Sequence, residues 1–163
     1  MLFRSRDAFL AVAAVDDEGG LARRLGAMYR RWARTRRMHL TVLEESATPY
    51  RLVLAVSGFG AYAILRPEAG LHVLERPQAD DHPAFVRARA RVAVAPQPEE
   101  PPAGGPDAWR GQALTALEKE GDGGGVVVRR YREAPSPLVR DGVRGWRTGR
   151  IDRVFDGHFD VIG

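Results

Sequence analysis

The chain has 163 residues, a formal net charge of +4 and no cysteine. That length suits one domain with a sizeable core, and the lack of cysteine excludes disulfides, thiolate zinc sites and a cysteine nucleophile. No N-terminal run reads as a signal peptide and none reaches the ~18 apolar residues of a membrane span, so a cytoplasmic protein is expected.

Lys119 is the sole lysine, so the positive charge is almost all arginine. A GC-rich genome would give that bias, and so would a need for bidentate phosphate contacts. Ala8 to Val15 reads as a buried strand ending at acidic Asp16, Asp17 and Glu18. Gly19 and Gly20 open a helix in which Leu21, Leu25, Met28 and Trp32 fall within roughly 60° of the wheel, a core-facing stripe. Arg23, Arg30, Arg34 and Arg37 gather on its opposite face, either a solvated surface or one that meets phosphate. The acidic residues before this helix and the arginines late in it suit its dipole.

His39 to Glu45 alternates as a second strand, and Ser46 to Pro49 is a turn. Leu52, Leu54 and Val56 then alternate with Val53, Ala55 and Ser57 into the Gly58-Phe59-Gly60 break. Ala61 to Glu68 suits a helical turn or two, Gly70 ends it, and Leu71 to Glu75 restarts a strand. Glu75 to His82 reads as a polar loop. In Phe85 to Ala95, Phe85, Arg87, Arg89 and Arg91 share one side and the small apolar residues the other, up to a phase slip near Val92. Such a strand either carries a basic outer face or is an edge guarded by charge.

Pro96 to Pro106 is a Pro-rich linker. Asp107 to Glu120 reads as a helix with Asp107 as N-cap and a thin apolar face of Trp109, Ala113, Ala116 and Leu117. After Gly121 to Gly125, Val126 to Tyr131 is a strand and Val139 to Arg147 is extended or irregular. Arg150 to Ile162 suggests a terminal helix, with Ile151, Val154 and Phe155 inward and Gly157 interrupting. The succession describes an α+β fold, a mixed or antiparallel sheet layered with helices.

The residues Gly60-Ala61-Tyr62, Leu65-Arg66 and Glu68-Ala69-Gly70-Leu71-His72 resemble the core of the bacterial class I peptide chain release factors. The similarity extends to Met28-Tyr29, Trp32-Ala33 and Glu44-Glu45-Ser46, and later to Arg129–Tyr131, Leu138–Asp141 and Ile151–Asp160. It implies a fold like domain 2 of those factors (the PCRF or decoding domain), which sits in the decoding site of the ribosome. Gly60, Tyr62, Arg66, Glu68, Gly70 and His72 are the family's core motif by this resemblance. Residues 1–95 would be the first part of the core, 96–125 a linker with a short helix where the family inserts its catalytic domain, and 126–163 the strand and helix that complete the core.

Three working parts of that family are not matched. The interval Pro96 to Gly125 is too short for the domain bearing the catalytic Gly-Gly-Gln motif, and Arg110-Gly111-Gln112 lacks a glycine and falls within a helix. The stop-codon tripeptides should lie at Arg76 to Phe85, where the chain reads RPQADDHPAF. The match also begins within the first ten residues, so the family's N-terminal helical domain is expected to be absent.

Other chemistry has little support. His39, His72, His82 and His158 show no metal-ligand spacing, and His72 reads as a structural residue. There is no Gly-x-Ser-x-Gly elbow, and Gly58-Phe59-Gly60 is too short for a phosphate cradle. Glu68, Glu75, Asp80 and Asp81 read as solvated loop carboxylates. No enzyme, cofactor, metal or membrane partner is expected.

Two functions follow as expectations. The first is a non-catalytic release-factor-like module that binds the ribosome or RNA through Arg23, Arg30, Arg34, Arg37, Arg87, Arg89 and Arg91, without hydrolysing peptidyl-tRNA. The alternative is a protein-interaction or regulatory domain. Val56–Tyr62 and Pro96–Pro101 are similar to the C-terminal appendage of some Clp-type AAA+ ATPases, which would make the domain an unfoldase adaptor cut from a longer chain.

Overall fold

A computed structural model describes residues 6–17, 20–77, 84–100, 102–120 and 125–162, with side chains left aside at 17, 76–77 and 84–87. The elements run β1 (Ala8–Asp17), α1 (Leu21–Thr35), β2 (His39–Ala47), β3 (Tyr50–Ser57), α2 (Ala61–Leu65), a 3-10 turn (Arg66–Glu68) and β4 (Gly70–Pro77). Then follow β5 (Ala84–Pro96), α3 (Gly105–Glu120), β6 (Val127–Arg132), β7 (Leu138–Asp141), β8 (Arg147–Thr148) and α4 (Ile151–Arg153), which widens into a turn over Val154–His158.

The described strands form one mixed sheet in the order β2-β3-β1-β5-β4-β6-β7-β8. Every pairing is antiparallel except β4 with β6. Alternation in the strands gives each face its own core. Leu10, Val12, Leu52, Leu54, Ala88, Ala90 and Val92 meet the Leu21, Leu25, Met28 and Trp32 stripe of α1. Phe9, Val53, Ala55 and Ala95 on the other face meet Ala113 and Leu117 of α3.

The C-terminal turn packs across α1, with Val154 and Phe159 fully buried. Gly157 makes this approach feasible. Its φ is +100°, and a Cβ there would lie 2.5 Å from the Trp32 backbone nitrogen. Gly70 has the same role at the parallel pairing, where a Cβ would stand 2.6 Å from Val128 Cγ1.

Several sequence expectations change here. β5 is an interior strand between β1 and β4, so it is not a charge-guarded edge. Its burial alternates without a break through Ala88, Ala90, Val92 and Val94. No phase slip occurs near Val92; the register shifts instead beside Val15 in β1 and Arg87 in β5. α1 ends at Thr35, and Arg37 lies beyond it with φ +57°. Of the acidic residues before α1, Asp16 pairs with Arg89. α3 starts at Gly105, which places Asp107 inside its first turn rather than at the cap. The terminal helix is shorter than expected, because Gly157 breaks it. Asp80, Asp81 and His82 lie outside the described residues.

Candidate nucleic-acid interface

The part of the fold that carries the arginine helix is tied together by a buried ionic cluster. Alternation in β6 puts Arg129 on the same face as Tyr131, toward α1, and both are buried. Arg129 Nε and Nη2 donate to Asp141 Oδ2 at 3.1 and 2.8 Å. Its Nη1 donates to Glu68 Oε1 at 2.8 Å and to Tyr131 Oη at 3.1 Å, and Nη2 also donates to Glu68 Oε2. Arg144 reaches the same Glu68 oxygen and donates to Ile64 O at 2.7 Å. Asp141 Oδ1 accepts the backbone N–H groups of Val143 and Arg144. Two guanidiniums thus face two carboxylates, with the rings of Trp146 and Phe159 stacked on Arg129 at 5.2 and 5.4 Å.

Glu68 is therefore no solvated loop carboxylate, since it is fully buried. Burial alone would raise its pKa, but Arg129 and Arg144 outweigh that and hold it at about 2. Glu75 is also engaged, by Arg130 at 2.9 Å and Arg140 at 3.8 Å.

His72 Nε2 lies 2.9 Å from the Glu68 carbonyl, which can only accept, so that nitrogen carries the proton. Nδ1 then accepts from Tyr131 Oη at 2.9 Å. Burial and the positive charge of Arg129 push the imidazole down to about 4, so it is neutral near pH 7. Tyr29 Oη, from α1, donates to Glu68 Oε1 at 2.8 Å. The cluster joins α1, the turn before β4, β4, β6 and β7. The resemblance named Glu68 and His72 in its core motif and took in Tyr29, Arg129, Tyr131 and Asp141 in its further segments, without a role for them; Arg144 was not named. The placement of Arg129 on the Tyr131 face was the available signal.

Gly60, Tyr62 and Arg66 lie along the short helical segment that leads to Glu68. Gly60 precedes α2 with φ +77°, Tyr62 is half-buried with its N–H on Arg6 O at 3.0 Å, and Arg66 is exposed. Among the described residues no three His, Asp or Glu side chains converge as metal ligands.

The seven arginines singled out from the sequence do not form one surface. Arg23, Arg30 and Arg34 line a cleft of about 450 Å³ with Arg31, Ala27, Glu45 and Tyr50. A second hollow continues it past Ala27 to Arg24 and Phe155. The small Ala27 leaves the groove between longer arginines. Arg23 donates to Ala47 O at 2.7 Å and lies 5.0 Å from the Tyr50 ring centre. Arg30 pairs with Glu45 at 3.1 Å, Arg24 with Glu133, and Arg31 donates to Phe155 O at 3.0 Å.

The Arg34 guanidinium has no hydrogen-bond or ion-pair partner among the described residues. Five arginines against two carboxylates leave this groove strongly positive, and each carboxylate is part-exposed. Arg24 and Arg31 were not singled out from the sequence, because the wheel placed the groove too narrowly. Arg37 stands off the helix. Arg89 and Arg91 lie on the α3 side of the sheet, opposite α1. The Arg87 side chain lies outside the described residues.

Residues 8–84 match the PCRF domain family. Just under half of the chain is thus similar to the PCRF domain. Over 94 residues it is 36% identical to peptide chain release factor 1 of Halalkalibacterium halodurans, an alignment that takes in 54% of this chain and 26% of that protein. Its fold is similar to that of RF2 of Thermus thermophilus, with a TM-score of 0.69 at 18% identity over 97% of this chain and 66% of that one. The chain therefore corresponds to only part of the length of each relative. The structural similarity extends beyond residue 84, so β6 to β8 and α4 belong to the shared architecture. The release-factor-like core and the arginine groove meet on α1, whose inner stripe is core and whose outer face is the groove.

Proposed function

We propose that this release-factor-like core is a non-catalytic module that binds the ribosome, with the α1 groove seated on ribosomal RNA. The observation that carries this reading is the groove itself: Arg23, Arg24, Arg30, Arg31 and Arg34 converge around Ala27. Guanidiniums grip phosphate oxygens bidentately, and Arg34, without a side-chain partner among the described residues, is available to do so. The release-factor relatives supply the ribosome as the partner. The lack of catalysis is part of this proposal and rests on the sequence reading of the interval after β5. Its one Gly-Gln pair lies inside α3, where Gln112 is half-buried among helix neighbours.

The test is co-sedimentation with ribosomes over a salt series, comparing the parent chain with Arg30→Glu/Arg34→Glu. Saturable binding that weakens with salt is expected, the charge reversal lowering the logarithmic salt slope by about 0.7–0.9 per lost phosphate contact. Absence of binding at low salt would overturn the ribosome reading. Binding that the charge reversal leaves untouched would overturn the α1 groove. No observation in the fold favours the ATPase-adaptor alternative.

A further inference from the structure

The sheet has a second basic surface, on the face away from α1. α3 packs there on β1, β2, β3 and β5, and among the described residues no helix packs extensively on this face of the half made by β4, β6, β7 and β8. Register places one row of residues directly opposite one another across this half: Arg89 beside Val73, Val73 beside Arg130, Arg130 beside Arg140, and Arg140 beside Arg147. The side chains of Arg89, Arg130 and Arg140 are 47%, 43% and 51% exposed, and Arg147 is exposed as well. Val73 between them is only 2% exposed, as expected where arginine stems cover apolar surface and keep their charged ends in water.

Like charges directly opposite across strands destabilise a sheet. Here two consecutive cross-strand pairs, Arg130–Arg140 and Arg140–Arg147, are like-charged. Glu75 is engaged by the first two of these arginines, and Asp16 by Arg89. Among the described residues Arg147 makes no ion pair. A row with four arginines and two carboxylates holds an excess of positive charge that an external anion would relieve.

From this row we infer that the open half of the sheet is a second RNA-binding surface, which holds a phosphodiester backbone running across the strands. Guanidiniums one strand apart, about 4.8 Å in a sheet, present forks to successive phosphate oxygens. On this face β4, β6, β7 and β8 offer no aromatic side chain among the described residues to stack a base, so the contact is made to phosphates and carries little sequence preference. With the α1 groove on the other side of the sheet, the module would then lie between two stretches of RNA. The inference shares its partner class with the proposed function but rests on separate residues.

The experiment measures binding of the whole chain to labelled oligouridine and oligoadenosine by fluorescence anisotropy, between about 50 and 200 mM KCl. The variants are Arg140→Gln/Arg147→Gln, which leaves the Arg130–Glu75 pair in place, and Arg30→Glu/Arg34→Glu. Circular dichroism confirms that each is folded. Arg140→Gln/Arg147→Gln is expected to weaken binding of both RNAs alike, by about tenfold at the lower salt, and to lower the salt slope by about 1.4. Combined with the α1 reversal, the losses should multiply, because the sites are separate.

A folded Arg140→Gln/Arg147→Gln variant with parent affinity and slope would overturn the inference, even if the α1 reversal abolished binding. The opposite pattern, a silent α1 reversal and a loss from the sheet variant, would remove the α1 groove and keep this surface. Binding of polyglutamate that depends on Arg140 and Arg147 while RNA binding does not would assign the face to an acidic protein instead, and would overturn it too.

Discussion

Glu68→Gln would leave the buried Arg129 and the part-buried Arg144 facing one carboxylate, both short of a partner. Breaking one side of a buried ion pair costs about 3–5 kcal/mol, so urea unfolding of this variant should show that loss at pH 7. A loss below about 1 kcal/mol would mean that the cluster is not a stabilising lock. His72 gives the cluster a pH dependence. Its pKa is about 4 in the fold against 6.5 as the ordinary value, so the unfolded chain binds the proton first as pH falls. The stability from neutral His72 is complete above pH 6.5 and is lost toward pH 4, by about 3 kcal/mol. Glu68, held at about 2 against 4.5, adds a loss of the same sign below pH 4.5. Urea midpoints should therefore drop steadily from pH 7 to pH 3, and His72→Gln should flatten the part between pH 6.5 and 4. At this scale the sequence named Glu68 and His72 through a motif, but it could not reveal their burial. Polar residues after a short helical turn look like loop residues until β6 and β7, some sixty residues later, close over them.

The arginine face of α1 was legible because helical period is local. Leu21, Leu25, Met28 and Trp32 fix which side is inward, and the outward residues follow. Its lower boundary was not, because Arg37 adopts a left-handed backbone beyond the last turn. β5 shows the same limit in a strand. Alternation correctly separated Arg89 and Arg91 from Ala88, Ala90 and Val92, but whether a strand lies at an edge depends on partners distant in sequence. The approach of the C-terminal turn to α1 is a property of both elements together, and Gly157 is where it can be tested. Gly157→Ala would place a methyl 2.5 Å from the Trp32 nitrogen, on a backbone at φ +100°. A destabilisation of at least about 2 kcal/mol is expected, with the melting transition as the readout. An unchanged transition would show that the turn can lift off α1 at little cost.

At the scale of the whole molecule, the described strands form one mixed sheet, and among them the two blocks of family resemblance are joined through a parallel pairing, β4 with β6. The sequence carried both blocks and their order. It could not carry their junction, since parallel pairing needs a crossover and leaves no local turn signature. Nor could it show that the arginines divide between the α1 groove and the open half of the sheet, because that depends on which face each strand turns outward. Competition with a release factor tests whether this core occupies the ribosome without catalysing release. Ribosomes stalled at a stop codon with labelled peptidyl-tRNA would be incubated with peptide chain release factor 1 and rising amounts of this chain. No peptide release by the chain alone is expected, with a concentration-dependent slowing of release by the factor that Arg30→Glu/Arg34→Glu relieves. Release by the chain alone, or an unaltered rate at concentrations that saturate ribosome binding, would contradict this expectation.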